Sequence, residues 1–280
     1  MTTYEIEVFA AKIRLETVKQ IGTRGFGHIG GALSVVDALA VLYGSVMRVD
    51  PKKPDWAERD KLVMSKGHAG PALYSTLALK GYFPMDWLET LNQPGTRLPS
   101  HCDKKLTPGI DMTTGSLGQG VSTAVGLALA QKMDGNAART YLFVGDGECN
   151  EGQVWEGALF AAHHKLDNLT LFVDYNRKQL DGTTEEVMDL GDIGAKFAAF
   201  GWHTQTVNGS GISEIAAALD VAKSVTSQPS CIVLDTVKGA GVPYVEGMAL
   251  NHHIVLDGDN LAAAIELCEK RIAALEGGAK

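Results

Sequence analysis

Thr140-Tyr141-Leu142-Phe143-Val144-Gly145-Asp146-Gly147 ends an apolar run on a glycine-flanked aspartate, and the apolar run Leu169 to Asp174 stops just short of Asn176. Short apolar runs bounded by turn residues predict buried strands over Thr140 to Gly145 and Leu169 to Asp174. Two oxygen-bearing side chains then stand at the ends of neighbouring strands. A carboxylate and a carboxamide so placed suit a hard cation that also holds a diphosphate. Mg²⁺ fits, because it takes octahedral oxygen ligation with few protein carboxylates and lets phosphate oxygens complete its shell. The glycines beside Asp146 let backbone come close to the phosphates. Alone, Gly145-Asp146-Gly147 reads as a tight turn; Asn176, as a second ligand, makes it a candidate site.

Working outward, helical and strand-like segments alternate, the pattern of an α/β chain with a mainly parallel sheet. Helical spacing predicts helices over Tyr4 to Gln20, Leu33 to Met47, Ala72 to Lys80, Val121 to Met133, Val154 to Lys165, Ile212 to Ser224 and Leu261 to Leu275. Further strands are predicted over Lys61 to Met64, His203 to Val207 and Cys231 to Thr236. Proline-bearing stretches at Asp50 to Asp55 and Gln93 to Pro108 read as loops too short to separate two cores. The expectation is a three-layer α/β/α fold formed as a single domain over residues 1–280. In such sheets ligands bind outside the carboxyl ends of the strands, where the Asp146 and Asn176 turns fall.

Composition narrows the function classes. With 280 residues, 45% of them hydrophobic, the chain can bury a large core. A formal net charge of −8 argues against a nucleic-acid surface or an anionic membrane partner. No apolar run reaches the roughly 18 residues of a spanning helix, and Met1 to Ala10 carries acids where a leader would carry bases, so the expected location is cytoplasmic. Cys102, Cys149, Cys231 and Cys268 show no CxxC pairing and no disulfide framework. Cys149 reads as a small packing residue.

The stretch Gly145-Asp146-Gly147-Glu148-Cys149-Asn150-Glu151-Gly152 through Asn176 resembles the thiamine diphosphate motif, in the form found in the transketolase family. Three further segments carry the resemblance. Gly25-Phe26-Gly27-His28-Ile29-Gly30-Gly31 is similar to the family's Gly-His-Pro-Gly segment, with Ile29 where proline is usual. Ser65-Lys66-Gly67-His68-Ala69 is similar to its Ser-x-Gly-His-Ala turn. Thr113-Thr114-Gly115-Ser116-Leu117-Gly118-Gln119-Gly120, preceded by His101, matches its Thr-x-Gly-x-Leu-Gly-Gln-Gly helix start. Near the C-terminus, Lys238-Gly239-Ala240-Gly241 leads to Asn251-His252-His253. His252 aligns with a family histidine beside the diphosphate, and His253 is the adjacent alternative. No second ligand cluster accompanies the pair, so zinc is not expected.

The resemblance implies a thiamine diphosphate-binding fold with Mg²⁺ held by Asp146, Asn176 and the backbone carbonyl of Lys178. It further implies cofactor contacts from His68, Gly115, Ser116, Leu117, Gly145, Gly147, Glu151, Leu180 and His252. His28, His101 and His252 are the implied catalytic residues, bonding substrate oxygens and moving protons. Glu151 and Glu156 match glutamates that link the two active sites at the family's dimer interface; within one chain, Glu151 is also explained by favourable charge at a helix start. The implied reaction is transfer of a two-carbon ketol unit from a ketose or ketose phosphate to an aldose or aldose phosphate. A glutamate that activates the cofactor lies, in full-length members, on a separate pyrimidine-binding domain. The resemblance runs from about His28 to His252 and covers the diphosphate-binding part alone. After Leu275 the chain ends in Glu276-Gly277-Gly278-Ala279-Lys280. The expectation is therefore the N-terminal subunit of a split transketolase, inactive without a C-terminal subunit that carries the pyrimidine domain. The two would form a hetero-oligomer such as α2β2. Two competing readings share the Asp…Asn motif: the α subunit of a 2-oxo acid dehydrogenase or a deoxyxylulose phosphate synthase-like enzyme, and a non-catalytic cofactor-binding scaffold.

Overall fold

The structure, a computed structural model, describes residues 1–278; Ala279 and Lys280 of the expected tail lie outside them. Seven strands are present among the described residues: β1 (Phe26–Gly27), β2 (Lys61–Met64), β3 (Thr140–Gly145), β4 (Leu169–Tyr175), β5 (His203–Asn208), β6 (Ser230–Asp235) and β7 (Ile254–Val255). Strands β2 to β6 form one sheet in the order β2-β3-β4-β6-β5, with every neighbouring pair parallel. Alternation along the strands splits their side chains between two cores. Leu62, Met64, Tyr141, Phe143, Phe172, Ile232 and Leu234 pack with the helices Thr3–Arg24, Gly70–Lys80 and Ile212–Ser224. Val63, Leu142, Val144, Leu171, Val173, Cys231 and Val233 pack with Gln119–Met133, Gly152–His163 and Ile193–Ala199 on the other face. The three-layer α/β/α expectation holds, and the central strands are buried on both faces, as parallel strands are.

Crossover direction explains which helix goes where. From β3 to β4 the chain moves across the sheet one way, with Gly152–His163 on one face; from β5 to β6 it returns, and Ile212–Ser224 lies on the other. A fixed crossover hand requires that swap. A crevice opens where connections leave on opposite faces, beyond the carboxyl ends of β4 and β6.

Three departures from the sequence reading are caused by contacts between distant parts of the chain. The first helix does not stop at Gln20 but runs from Thr3 to Arg24. Gly22 stays helical because its bare Cα lets Leu261 lie against it; a Cβ there would sit 2.3 Å from Leu261 Cδ1. The expected helix Leu33 to Met47 is instead two pieces, Gly30–Leu33 and Val36–Val41, followed by a wider turn over Leu42–Val46. Its break falls at Ser34, whose hydroxyl donates to Gly31 O (3.3 Å) and Asp174 Oδ2 (2.7 Å) and so competes with the helical ladder. Finally, β1 and β7, absent from the sequence reading, pair antiparallel with Gly27 opposite Ile254, which draws His28 to the His252–His253 segment. Two residues make too short a run for any periodic signal.

All four cysteines are free and buried, with Cys149 in the core beneath its turn. Among the described residues, no helix is long and apolar enough to cross a membrane.

Candidate active site

Asp146 follows the last residue of β3, and its backbone N–H donates to Asp174 O (3.2 Å), extending the β3–β4 ladder by one step. Its carboxylate is buried and accepts from Gly147 N (2.7 Å) and Arg177 N (2.6 Å). Arg177 takes a left-handed φ of 62° to turn the chain directly after Asn176. That conformation costs about 1–2 kcal/mol outside glycine, and the bond to Asp146 offsets it. Burial first, and then the negative charge of Asp174, push the Asp146 carboxyl up to about 6. A buried carboxylate with backbone partners alone favours a neighbouring cation. Asn176 Oδ1 accepts from Lys178 N (3.2 Å), and the Lys178 carbonyl accepts from Lys238 Nζ (2.8 Å). The Lys178 ammonium instead reaches the carbonyls of Met248 (2.8 Å) and Glu246 (3.4 Å).

These groups open onto a cavity of about 210 Å³ beyond the strand ends. Its walls bring together residues from six chain segments: His28; His68; His101 with Gly115 and Leu117; Gly145 to Gly147; Asn176, Lys178 and Leu180; and His252. The histidine rings form a contiguous cluster. His28 lies 5.4 Å from His101, 5.3 Å from His252 and 5.8 Å from His68, and His68 lies 4.6 Å from His252. Between the two candidates at the C-terminal turn, His252 lines the cavity, whereas exposed His253 packs on Phe26 and His28. Burial, then neighbouring positive charge, lowers His28 to about 4 and His252 to about 3 and holds His68 well below 6.5. Desolvation also lowers His101. Around neutral pH these rings are uncharged, so each nitrogen is a potential donor or acceptor to a substrate hydroxyl. Among the described residues, no group of three or more His, Cys, Asp or Glu side chains could hold a metal ion.

Gly30 shows why its motif needs a glycine. Its N–H donates to Asn251 O (3.2 Å) and its carbonyl accepts from Gly239 N (3.0 Å), so the segment is stitched to the His252 turn from both sides. A Cβ would stand 2.3 Å from the Asn251 carbonyl oxygen. Ile29, where the family has proline, is fully buried and donates its N–H to Gly27 O (3.0 Å), a bond proline could not make.

Two expected contacts fall outside the cavity wall. Ser116 and Glu151 are exposed, Glu151 at the start of Gly152–His163 with no side-chain capping bond. Conversely, Lys66, Glu148, Gln179 and Lys238 line the cavity although sequence reading gave them no role. Glu148 accepts from Ser65 Oγ, Gly118 N (2.8 Å) and Gly145 N (3.1 Å), clamping three motif segments onto one carboxylate. Burial raises its pKa against those donors. Lys238 is lowered to about 8 by burial and by the charge of Lys66. A lysine inside a glycine-rich turn that follows a buried strand was the available signal for both lysines; nothing local distinguished Glu148.

The match of this chain to a family model covers residues 6–268, and that model describes the thiamine diphosphate-binding domain of transketolase. The chain belongs to the transketolase family. It is 52% identical over 258 residues to a 6-deoxy-6-sulfo-D-fructose transketolase subunit of Clostridium sp., spanning 92% of this chain and 94% of that one. To one of the subunits of the apulose-4-phosphate transketolase of Phocaeicola vulgatus it is 40% identical, covering 99% and 98%. Among solved structures, transketolase of Pichia stipitis in complex with sedoheptulose 7-phosphate superposes with a TM-score of 0.85 at 32% identity, over 99% of this chain and 45% of that one. The chain thus spans less than half the length of the solved transketolases it matches, and nearly all of the two subunits. It corresponds to the N-terminal, diphosphate-binding part of the family, as the Gly145 to Asn176 stretch and its companion motifs implied.

The donor set fits the cofactor and its metal. Asp146, Asn176 and the Lys178 carbonyl offer oxygens alone, as Mg²⁺ requires, while Lys66 and Lys238 place positive charge on the same wall for a diphosphate. Gln179 Nε2, buried beside Gly147 without a partner among the described residues, is a spare donor at that wall.

Proposed function

We propose that this chain is the diphosphate-holding subunit of a two-chain transketolase that moves a two-carbon ketol unit from a ketose or its phosphate to an aldose or its phosphate. One observation carries the reading. Asp146 and Asn176, at adjacent strand ends, share a cavity with His28, His68, His101 and His252, so a metal-diphosphate anchor and a set of proton-handling groups face the same space. Thiamine diphosphate would supply the carbanion-stabilising chemistry, which no side chain here offers.

The remaining work falls to the protein's residues. Asp146, Asn176 and the Lys178 carbonyl would hold Mg²⁺, and Lys66, His68 and Lys238 would face the diphosphate. Gly115, Leu117 and Leu180 would border the cofactor, with Leu117 and Leu180 exposed and available to a partner surface. His28, His101 and His252, neutral around pH 7, exchange hydrogen bonds with sugar hydroxyls as donors or acceptors. Ser116 and Glu151, outside the cavity wall, act at the surface facing the second chain. That partner supplies a pyrimidine-binding domain in a hetero-oligomer such as α2β2, and near-full-length similarity to two proteins named as subunits supports this division. Four buried, unpaired cysteines suit a reducing, cytoplasmic setting.

The test is a ketol-transfer assay of the purified chain with a pyrimidine-domain subunit, Mg²⁺ and thiamine diphosphate. Donors should include pentose phosphates, apulose 4-phosphate and 6-deoxy-6-sulfo-D-fructose. Transfer should require both chains; full turnover by this chain alone would sink the two-subunit reading.

A further inference from the structure

Asp174 stands two residues before Asn176 on β4 and is fully buried. Four side chains donate to its carboxylate, three of them to one oxygen. Its Oδ2 accepts from Ser34 Oγ (2.7 Å), Asn176 Nδ2 (2.8 Å) and Lys66 Nζ; its Oδ1 accepts from Thr236 Oγ1 (2.7 Å). Each donor belongs to a different cofactor-facing segment: the helix start after His28, the His68 turn, the metal-ligand turn, and the end of β6 leading to Lys238. The backbone carbonyl of the same residue accepts from Asp146 N. Both side-chain metal ligands proposed above therefore rest on Asp174.

We infer that Asp174 is the positioning residue of the metal site: it fixes which end of the Asn176 carboxamide faces the cation. A carboxamide has one donor end and one acceptor end, and its orientation is set by its partners. An acceptor-only carboxylate compels Nδ2 to turn toward Asp174, leaving Oδ1 free of it on the Lys178 side. The Lys66 ammonium balances the charge of Asp174 and two hydroxyls bond it at the same time, so it does not serve as a second anionic ligand. Asp146 is left as the one metal-facing carboxylate, which suits a site that must also admit an anionic diphosphate.

This inference rests on the metal reading above, and Mn²⁺ as a spectroscopic stand-in separates the two. Electron paramagnetic resonance titration of Mn²⁺ with thiamine diphosphate is run on the full chain, alone and assembled with its partner, for wild type, D174N, K66M/D174N, S34A and T236V. Outer partners of metal ligands are typically worth 10–100-fold in affinity. D174N, whose new amide no longer dictates the Asn176 orientation, should weaken Mn²⁺ binding by about that factor. K66M/D174N, which leaves no buried lysine unpaired, should show the same loss and covers the case in which D174N alone does not fold. S34A and T236V remove donors to Asp174 but spare its bond to Asn176, so they should lower the unfolding midpoint while shifting Mn²⁺ affinity less than about threefold. Wild-type affinity in K66M/D174N, or an equal loss in S34A and T236V, overturns the positioning role alone. Absence of Mn²⁺ binding by wild type in both preparations overturns the metal reading with it.

Discussion

Glu148 offers the sharpest measure of how the motifs are held together, because one buried carboxylate joins Ser65, Gly118 and Gly145. E148A removes the acceptor for three donors at once: the Ser65 hydroxyl and the N–H groups of Gly118 and Gly145. A buried donor left unsatisfied costs about 1–3 kcal/mol. Three of them imply about 3–6 kcal/mol once water reaches part of the space. E148Q has the same shape and keeps an acceptor on the Oε1 side for Ser65 and Gly118, but its amide nitrogen opposes Gly145 N–H. One lost bond implies about 1–3 kcal/mol. The assay is equilibrium urea unfolding at constant m, with the difference read from the midpoint. A pH series adds a sign. Because the folded Glu148 pKa is raised above its ordinary 4.5, its contribution is fully present below that value and is lost as pH rises through the folded pKa. The E148Q deficit should therefore shrink as pH rises above 4.5. A loss below about 1 kcal/mol in E148A, or equal losses in the two variants, refutes the clamp.

Three other outcomes follow from the geometry. D146A should abolish Mg²⁺-dependent thiamine diphosphate binding in the assembled complex, read by calorimetry; unchanged binding rejects the proposed ligand set. G30A should destabilise the fold by about 1–3 kcal/mol, the usual cost of overpacking, and should displace the His252 turn, visible as loss of cofactor affinity, because the new Cβ meets the Asn251 carbonyl. His28 and His252, lowered to about 4 and about 3, contribute stability that is present above 6.5 and lost as pH falls through that window. Thermal midpoints of wild type should thus rise more steeply from about pH 4 to about pH 7 than those of H28Q/H252Q, and parallel curves would contradict the buried, neutral histidine cluster.

The five strands of the main sheet and the long helices were legible along the chain because each obeys a local period, whereas Ile193–Ala199 was not read, and Gly145 to Asn176 placed two oxygen-bearing side chains at strand ends without any tertiary information. Local sequence also carried the glycine and histidine motifs, since their backbone demands and side-chain chemistry lie within a few residues. What it could not carry were contacts between residues far apart in the chain. Ser34 breaks a predicted helix because its hydroxyl finds Asp174, and β1 and β7 form because each pairs with the other. Glu148 looked like any turn glutamate until folding set Ser65 and Gly118 against it.

Sequence alone therefore determined the parallel α/β class, the placing of Asp146 and Asn176 at neighbouring strand ends and the family, since short-range patterning and residue chemistry suffice for these. Tertiary structure alone decided that His252 and not His253 lines the cavity, that Ser116 and Glu151 lie off its wall, and that Lys66, Glu148 and Lys238 join it, with Asp174 bonded behind Asn176. The physical reason is burial: a charged side chain in the interior is fixed by the partners that neutralise or hydrogen-bond it, and those partners come from segments that only the fold brings together.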